Sequence, residues 1–129
     1  MKITIEVPKL PDIGNITSSL NRTAILGVQI IKERTNRGVG YMGAFAPYSA
    51  GYAKWKAKIT PERTVNLQLT NEMLGAMASE AAGNTAKIYF TRKPAAEKAA
   101  WNNRTRPFFG FNQKEVSRLA TYFRKELLK

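Results

Sequence analysis

Residues 38 to 43 read GVGYMG and set Gly38, Gly40 and Gly43 at the G-x-G-x-x-G spacing of a dinucleotide-binding turn. In such a turn the glycines allow a tight bend, a close approach to pyrophosphate and close packing of a helix on the preceding strand, so a strand must come before and a helix after. Neither flank fits. Upstream, Ile16, Leu20, Ala24, Gly27 and Ile31 recur at steps of three and four, which predicts a helix. Downstream, Pro47 follows Gly43 by four residues, where its ring and missing N–H oppose a new helix. The acidic residue expected about 20 positions on to grip a ribose could only be Glu62, in a turn-like TPER setting. The glycines therefore read as a helix exit, with positive φ or tight approach at Gly38, Gly40 and Gly43, and no cofactor is expected.

Other chemistry is constrained as tightly. The chain has no cysteine and no histidine, which removes disulfides, thiolate nucleophiles, imidazole bases and the commonest transition-metal ligands together. Its 9 carboxylates are scattered singly, with no close pair to suggest acid–base work or a hard-cation site. The expectation is a protein that is not an enzyme and holds no metal.

Charge is the strongest compositional signal. Against those 9 acids stand 21 basic side chains, a net charge of +12 that favours a polyanion nearby. Lys54, Lys56 and Lys58 alternate along KWKAKI, and with Arg92 and Lys93 they are the candidate cations for a DNA-facing or partner-docking surface. A long Lys/Arg tail and an aromatic–glycine RNA-binding signature are both missing, so contact with nucleic acid would be non-specific. Phe108, Phe109 and Phe111, beside Arg106 and Pro107, read either as core or, for residues 106 to 109, as a subunit contact.

The elements that must position these residues follow from periodicity. KITIEV alternates Ile3, Ile5 and Val7 with polar residues, a half-buried strand. A long helix follows, capped at Asp12 or Asn15 and running to about Arg37. Tyr48, Tyr52, Trp55 and Ile59 suit a second helix opened by Ser49, while the alternation in KWKAKI suits a strand; the longer series favours the helix. Val65, Leu67 and Leu69 alternate as a strand that enters a helix of about ten residues capped by Thr70, with Gly83 and Asn84 ending it. TAKIYFT is another alternating strand, and PAAEKAAWNN a short helix with Pro94 in its first turn. Asn112 and Glu115 form an asparagine version of the capping box with Phe111 and Val116 as a staple. The terminal helix they open carries Val116, Leu119, Ala120, Phe123 and Leu127 on its docking face, with Arg124, Lys125 and Lys129 suiting the negative end of its dipole. These elements make an α+β single domain over 1–129, a long N-terminal helix and a C-terminal helix on a small, mainly antiparallel sheet. No run approaches the roughly 20 apolar residues of a membrane span, and MKITIEVPKLPD carries Glu6 where a signal peptide would be apolar, so a cytoplasmic product is expected.

Three stretches, RTNRGVGYMGAFAPYSAGYAKWK, VNLQLTNEML and RTRPFFGFNQKEVSRL, occur in an order and spacing that resembles the tail-completion or head-tail joining proteins of tailed bacteriophages, the virion morphogenesis group that includes the Mu-like neck proteins. The resemblance spans about Ile30 to Leu127, with Asn71 standing where many relatives have glycine. It implies a structural virion protein that forms a homo-oligomeric ring, a hexamer by that likeness, around the DNA channel at the head-proximal end of the tail. Its neighbours would be other neck and tail proteins, and its place the virion after assembly in the host cytoplasm. The rival from composition alone is a small basic nucleic-acid-binding regulator.

Overall fold

The computed structural model describes residues 1–7, 16–45 and 72–129. The segments expected at Tyr48–Ile59 and Val65–Leu69, with Lys54, Lys56 and Lys58, lie outside them. Strand β1 (Lys2–Glu6) leads to helix α1 (Ile16–Asn36) and to a short hairpin of β2 (Val39–Gly40) and β3 (Gly43–Ala44). Helix α2 (Glu72–Gly75), strands β4 (Met77–Ala82) and β5 (Thr85–Phe90), and helices α3 (Lys93–Thr105) and α4 (Gln113–Leu127) complete the order. The fold is α+β, as the alternation of periods 2 and 3.6 leads one to expect.

The main sheet runs β1–β5–β4, all antiparallel. Its register pairs Ile3 with Ile88 and Ile5 with Ala86 on one side of β5, and Met77 with Phe90 on the other. Those apolar pairs stand on the face that α1 covers, where Leu20, Ala24 and Ile31 are fully buried with Ile88 and Ala86. The i, i+4, i+7 spacing visible in the sequence thus becomes the α1 seam, as period and burial require.

One element departs from expectation. The expected cap Thr70 lies outside the described residues; within them the helix expected to run on to Gly83 stops at Gly75, and Met77–Ala82 is a strand. Ala76, Ala78, Ala81 and Ala82 are good helix formers, but pairing with β5 along six residues overrides that local preference. Gly83, expected as a helix stop, occupies a left-handed conformation (φ 59°) in the two-residue Gly83–Asn84 hairpin turn. The left-handed glycine stands where the sequence puts it, but it serves a hairpin. Thr17 Oγ1 donates to Gly83 O at 2.7 Å, and Asn84 Nδ2 to Val7 O at 2.8 Å, so the turn is fastened to α1 and β1.

Helix α4 starts where the residues say it should. Asn112 accepts from the Glu115 N–H at 2.9 Å, and the Asn112 N–H donates back to Glu115 Oε1 at 3.0 Å, closing the capping box. Its docking face is narrower than expected. Leu119 and Phe123 are buried, whereas Val116 is 47% exposed and borders a groove with Phe111, because α4 packs beside α1 rather than under the sheet.

Candidate functional site

Helix α4 carries two carboxylates, and both are turned inward onto arginines of α1. Near its start, Arg34 Nε lies 3.4 Å from Glu115 Oε2. Arg34 is only 3% exposed, and its Nη2 donates to Phe108 O at 3.0 Å and to Gly110 O. Burial pushes the Arg34 guanidinium below its ordinary pKa, opposed by the neighbouring Glu115 and Tyr41, so the ion pair and carbonyls hold a charge in a place that disfavours it. Arg34 follows Ile31 by three positions and Gly27 by seven, so the helical period puts it on the buried seam of α1, where a cation is out of keeping with its neighbours. Its partners lie 74 to 81 positions away, which periodicity does not register.

The 106–111 segment is gripped from its other side by Asn103, whose Oδ1 accepts from the N–H of Phe108 and of Phe109, each at 3.0 Å. The rings these bonds orient are core. Phe108 is fully buried, and Phe109 sits 5.0 Å from Phe90 between ring centres. No exposed phenyl ring is therefore left at 108 and 109 for a subunit contact; Arg106 and Pro107 beside them are half-buried. Across the same segment, a Cβ at Gly40 would lie 1.8 Å from Pro107 O, so the hairpin can approach only as glycine. Gly38 and Gly43 have φ of 78° and 126°, and α1, not a strand, precedes them. The GVGYMG motif is a conformational joint between helix and hairpin and lacks the strand a pyrophosphate turn requires. Two of the three stretches that carry the phage resemblance thus meet in one clamped unit: Arg34 and the glycine hairpin against Arg106–Phe111.

At the far end of α4, Glu126 Oε2 accepts from Arg22 Nη1 at 3.1 Å and Oε1 from Lys129 Nζ at 2.9 Å. The hydrogen bond from Lys129, with that from Arg22, holds the Glu126 carboxyl below its ordinary range against the opposing effect of burial. With both acids engaged inside, the outer stripe of α4 carries Lys114, Arg118 and Lys125, interleaved with Ser117, Thr121 and Tyr122. Together with Leu26 of α1 these residues line a shallow trough of about 560 Å³. Among the described residues none of the three cations has an ion-pair partner, and the stripe contains no carboxylate. The sequence by itself does not single them out, because a helical stripe of cations becomes visible only when the inward turn of Glu115 and Glu126 is known.

No family model, curated protein or solved structure matches the chain. Of the expected cations, Arg92 and Lys93 are exposed at the start of α3, where Arg92 occupies the cap position without a side-chain cap bond. Among the described residues no three His, Cys, Asp or Glu side chains gather as a metal site, and no helix is long and apolar enough to cross a membrane.

Among the described residues three large apolar side chains are more than 70% exposed: Leu128 next to the chain's last residue, and Met42 and Trp101 on elements anchored within the fold. Met42, at the hairpin tip, is 76% exposed, and Trp101, on α3, is 72% exposed. Trp101 immediately precedes Asn102 and Asn103, which tie α3 to Met73 and to the Phe108 segment, so its backbone is held even though its ring is exposed. A further feature is an apolar groove of about 570 Å³ between edge strand β1 and α4, lined by Ile5, Val7, Phe111, Val116 and Leu127 among others.

Proposed function

We propose that this protein is a structural subunit of a bacteriophage neck, completing the tail and joining it to the head as a homo-oligomeric ring around the DNA channel. The observation that carries the reading is the exposure of Trp101 and Met42 on anchored elements. Tryptophan and methionine are enriched in the buried centres of protein interfaces, and a ring exposed on a firm backbone loses little conformational freedom on association. The clamped unit of Arg34, the glycine hairpin and Arg106–Phe111 supports it further, since it coincides with the stretches that resemble the tail-completion proteins and gives the hairpin tip a fixed position. In this reading the chain does no chemistry, holds no cofactor, and works by shape, charge and self-association.

The test is molar mass in solution by light scattering, for the natural sequence and for Trp101→Ser and Met42→Ser. The ring reading expects a mass several times that of the chain and a shift toward monomer in at least the Trp101 variant, with unchanged circular dichroism because neither side chain is in the core. A monomer at all accessible concentrations, together with a shift of DNA at physiological salt, would favour the small basic regulator instead.

A further inference from the structure

The outer stripe of α4 has a composition that neither helix formation nor core packing demands. A surface helix usually alternates acids with bases at i, i+4, because each such pair adds a few tenths of a kcal/mol. Here both acids of the helix face α1 and are neutralised there by Arg34, Arg22 and Lys129. Of the four cations of the helix, Arg124 borders the groove beside β1, while Lys114, Arg118 and Lys125 fall within one narrow stripe, four and seven positions apart, about 6 Å and 10 Å along the axis. Between them stand three hydroxyl groups, Ser117, Thr121 and Tyr122, which can each donate a hydrogen bond to an oxyanion.

We infer that this α4 stripe is a surface that meets a nucleic-acid duplex, contacting its phosphate backbone without reading bases. Cations and hydroxyls are the groups that make phosphate contacts, and a carboxylate-free surface avoids the repulsion that a single exposed acid would add. A lipid surface suits the stripe less, since an interfacial helix must offer its apolar face to the acyl chains and the apolar face of α4, at Leu119 and Phe123, is occupied by the core. A single-stranded ligand would call for a row of exposed aromatic rings to stack its bases. The stripe has Tyr122 alone, and that side chain is half-buried. The assignment rests on the proposed place around DNA for its biological meaning, but its chemistry is tested separately from the ring.

The experiment is binding of a fluorescently labelled mixed-sequence DNA duplex, by anisotropy, across a series of salt concentrations. The variants are Lys114→Ala/Arg118→Ala/Lys125→Ala and, removing equal charge elsewhere, Lys2→Ala/Lys87→Ala/Arg104→Ala. Removing one cation from a phosphate should reduce the steepness of log affinity against log salt by about 0.9, so the α4 variant should flatten the dependence by nearly three such steps while the control moves it far less. A charge-keeping variant, Lys114→Arg/Lys125→Arg, should bind as the natural sequence does. Equal weakening in the two alanine variants would overturn the assignment, since net charge and not position would then be at work. So would absence of duplex binding at low salt, or binding to anionic lipid vesicles in preference to the duplex. The same samples are weighed by light scattering: a monomer that binds duplex through α4 sinks the ring and keeps this inference, and a ring indifferent to the α4 variant does the reverse.

Discussion

The two ends of α4 use the same pair of groups in opposite settings. At the start, Glu115 meets an arginine that is 3% exposed and also holds two backbone carbonyls. At the end, Glu126 meets Arg22, whose side chain is 54% exposed, and a terminal lysine. The first pair fixes a chain segment more than 70 residues from Arg34 in sequence. In the second the carboxylate is only 8% exposed but both of its cations reach solvent, where screening and side-chain entropy reduce the net stabilisation. The difference separates two jobs that one kind of contact can do. The inner pair positions the Arg106–Phe111 segment and with it the hairpin; the outer pair chiefly keeps a carboxylate away from the basic stripe.

Cutting the inner end should have the largest effect. Arg34→Met leaves Glu115 and the carbonyls of Phe108 and Gly110 without their cation, and loss of one partner of a buried pair costs on the order of 3–5 kcal/mol. Urea unfolding should show this as a lower midpoint at an unchanged slope. Phe123→Ala, between the two ends, removes a buried ring and should cost roughly 3–5 kcal/mol as well, while the exposed Val116→Ala should stay within about 0.5 kcal/mol. Comparable destabilisation at 116 and 123 would mean that the groove edge is covered in the folded molecule.

The third change strikes the hairpin that the inner end supports. Gly40→Ala places a methyl group against Pro107 O, and backbone that cannot yield makes this overpacking worth about 1–3 kcal/mol. It should also reduce assembly if the hairpin tip is an interface; a stable, normally assembling Gly40→Ala protein would show that the hairpin moves freely against the clamp.

The smallest effect belongs to the outer end and concerns acid. The Glu126 carboxyl has its pKa lowered in the fold from 4.5, so its contribution is complete above the unfolded value and is lost as pH falls through the lower folded value. Glu126→Gln should therefore flatten the stability profile only below about pH 4.5, and raised salt should shrink the difference. A change confined to neutral or alkaline pH would assign the linkage to another group.

What the sequence reveals and what it hides divide along the same line of local against distant. The capping box at Asn112 and Glu115 spans three residues, and its hydrogen bonds close within that window, so it can be read directly. The α1 seam is legible because burial repeats with the helical period. The β4 strand is hidden, since its alanines favour a helix and only the facing strand decides otherwise. Phe108 and Phe109 admit two readings until the Asn103 and Arg34 anchors show which way the rings must turn. Arg34 stands on the α1 seam by its spacing from Gly27 and Ile31, but its partners cannot be read locally, because a buried guanidinium is specified by carbonyls and a carboxylate far along the chain. The α4 stripe escapes a sequence reading for a related reason: its three cations are in plain view, but the withdrawal of their neighbouring acids is not.

The most direct test of the contrast between the two ends is a pair of double-mutant cycles by urea unfolding, Arg34→Met with Glu115→Gln and Arg22→Met with Glu126→Gln. Glutamine at 115 keeps the capping-box hydrogen bond, so the cycle isolates the charge pairing. The coupling at Arg34–Glu115 should be the larger and nearly insensitive to salt, and that at Arg22–Glu126 the smaller and reduced by salt. Equal couplings with equal salt dependence, or a larger one at Glu126, would contradict the assignment of the inner pair as the anchor of the Arg106–Phe111 segment.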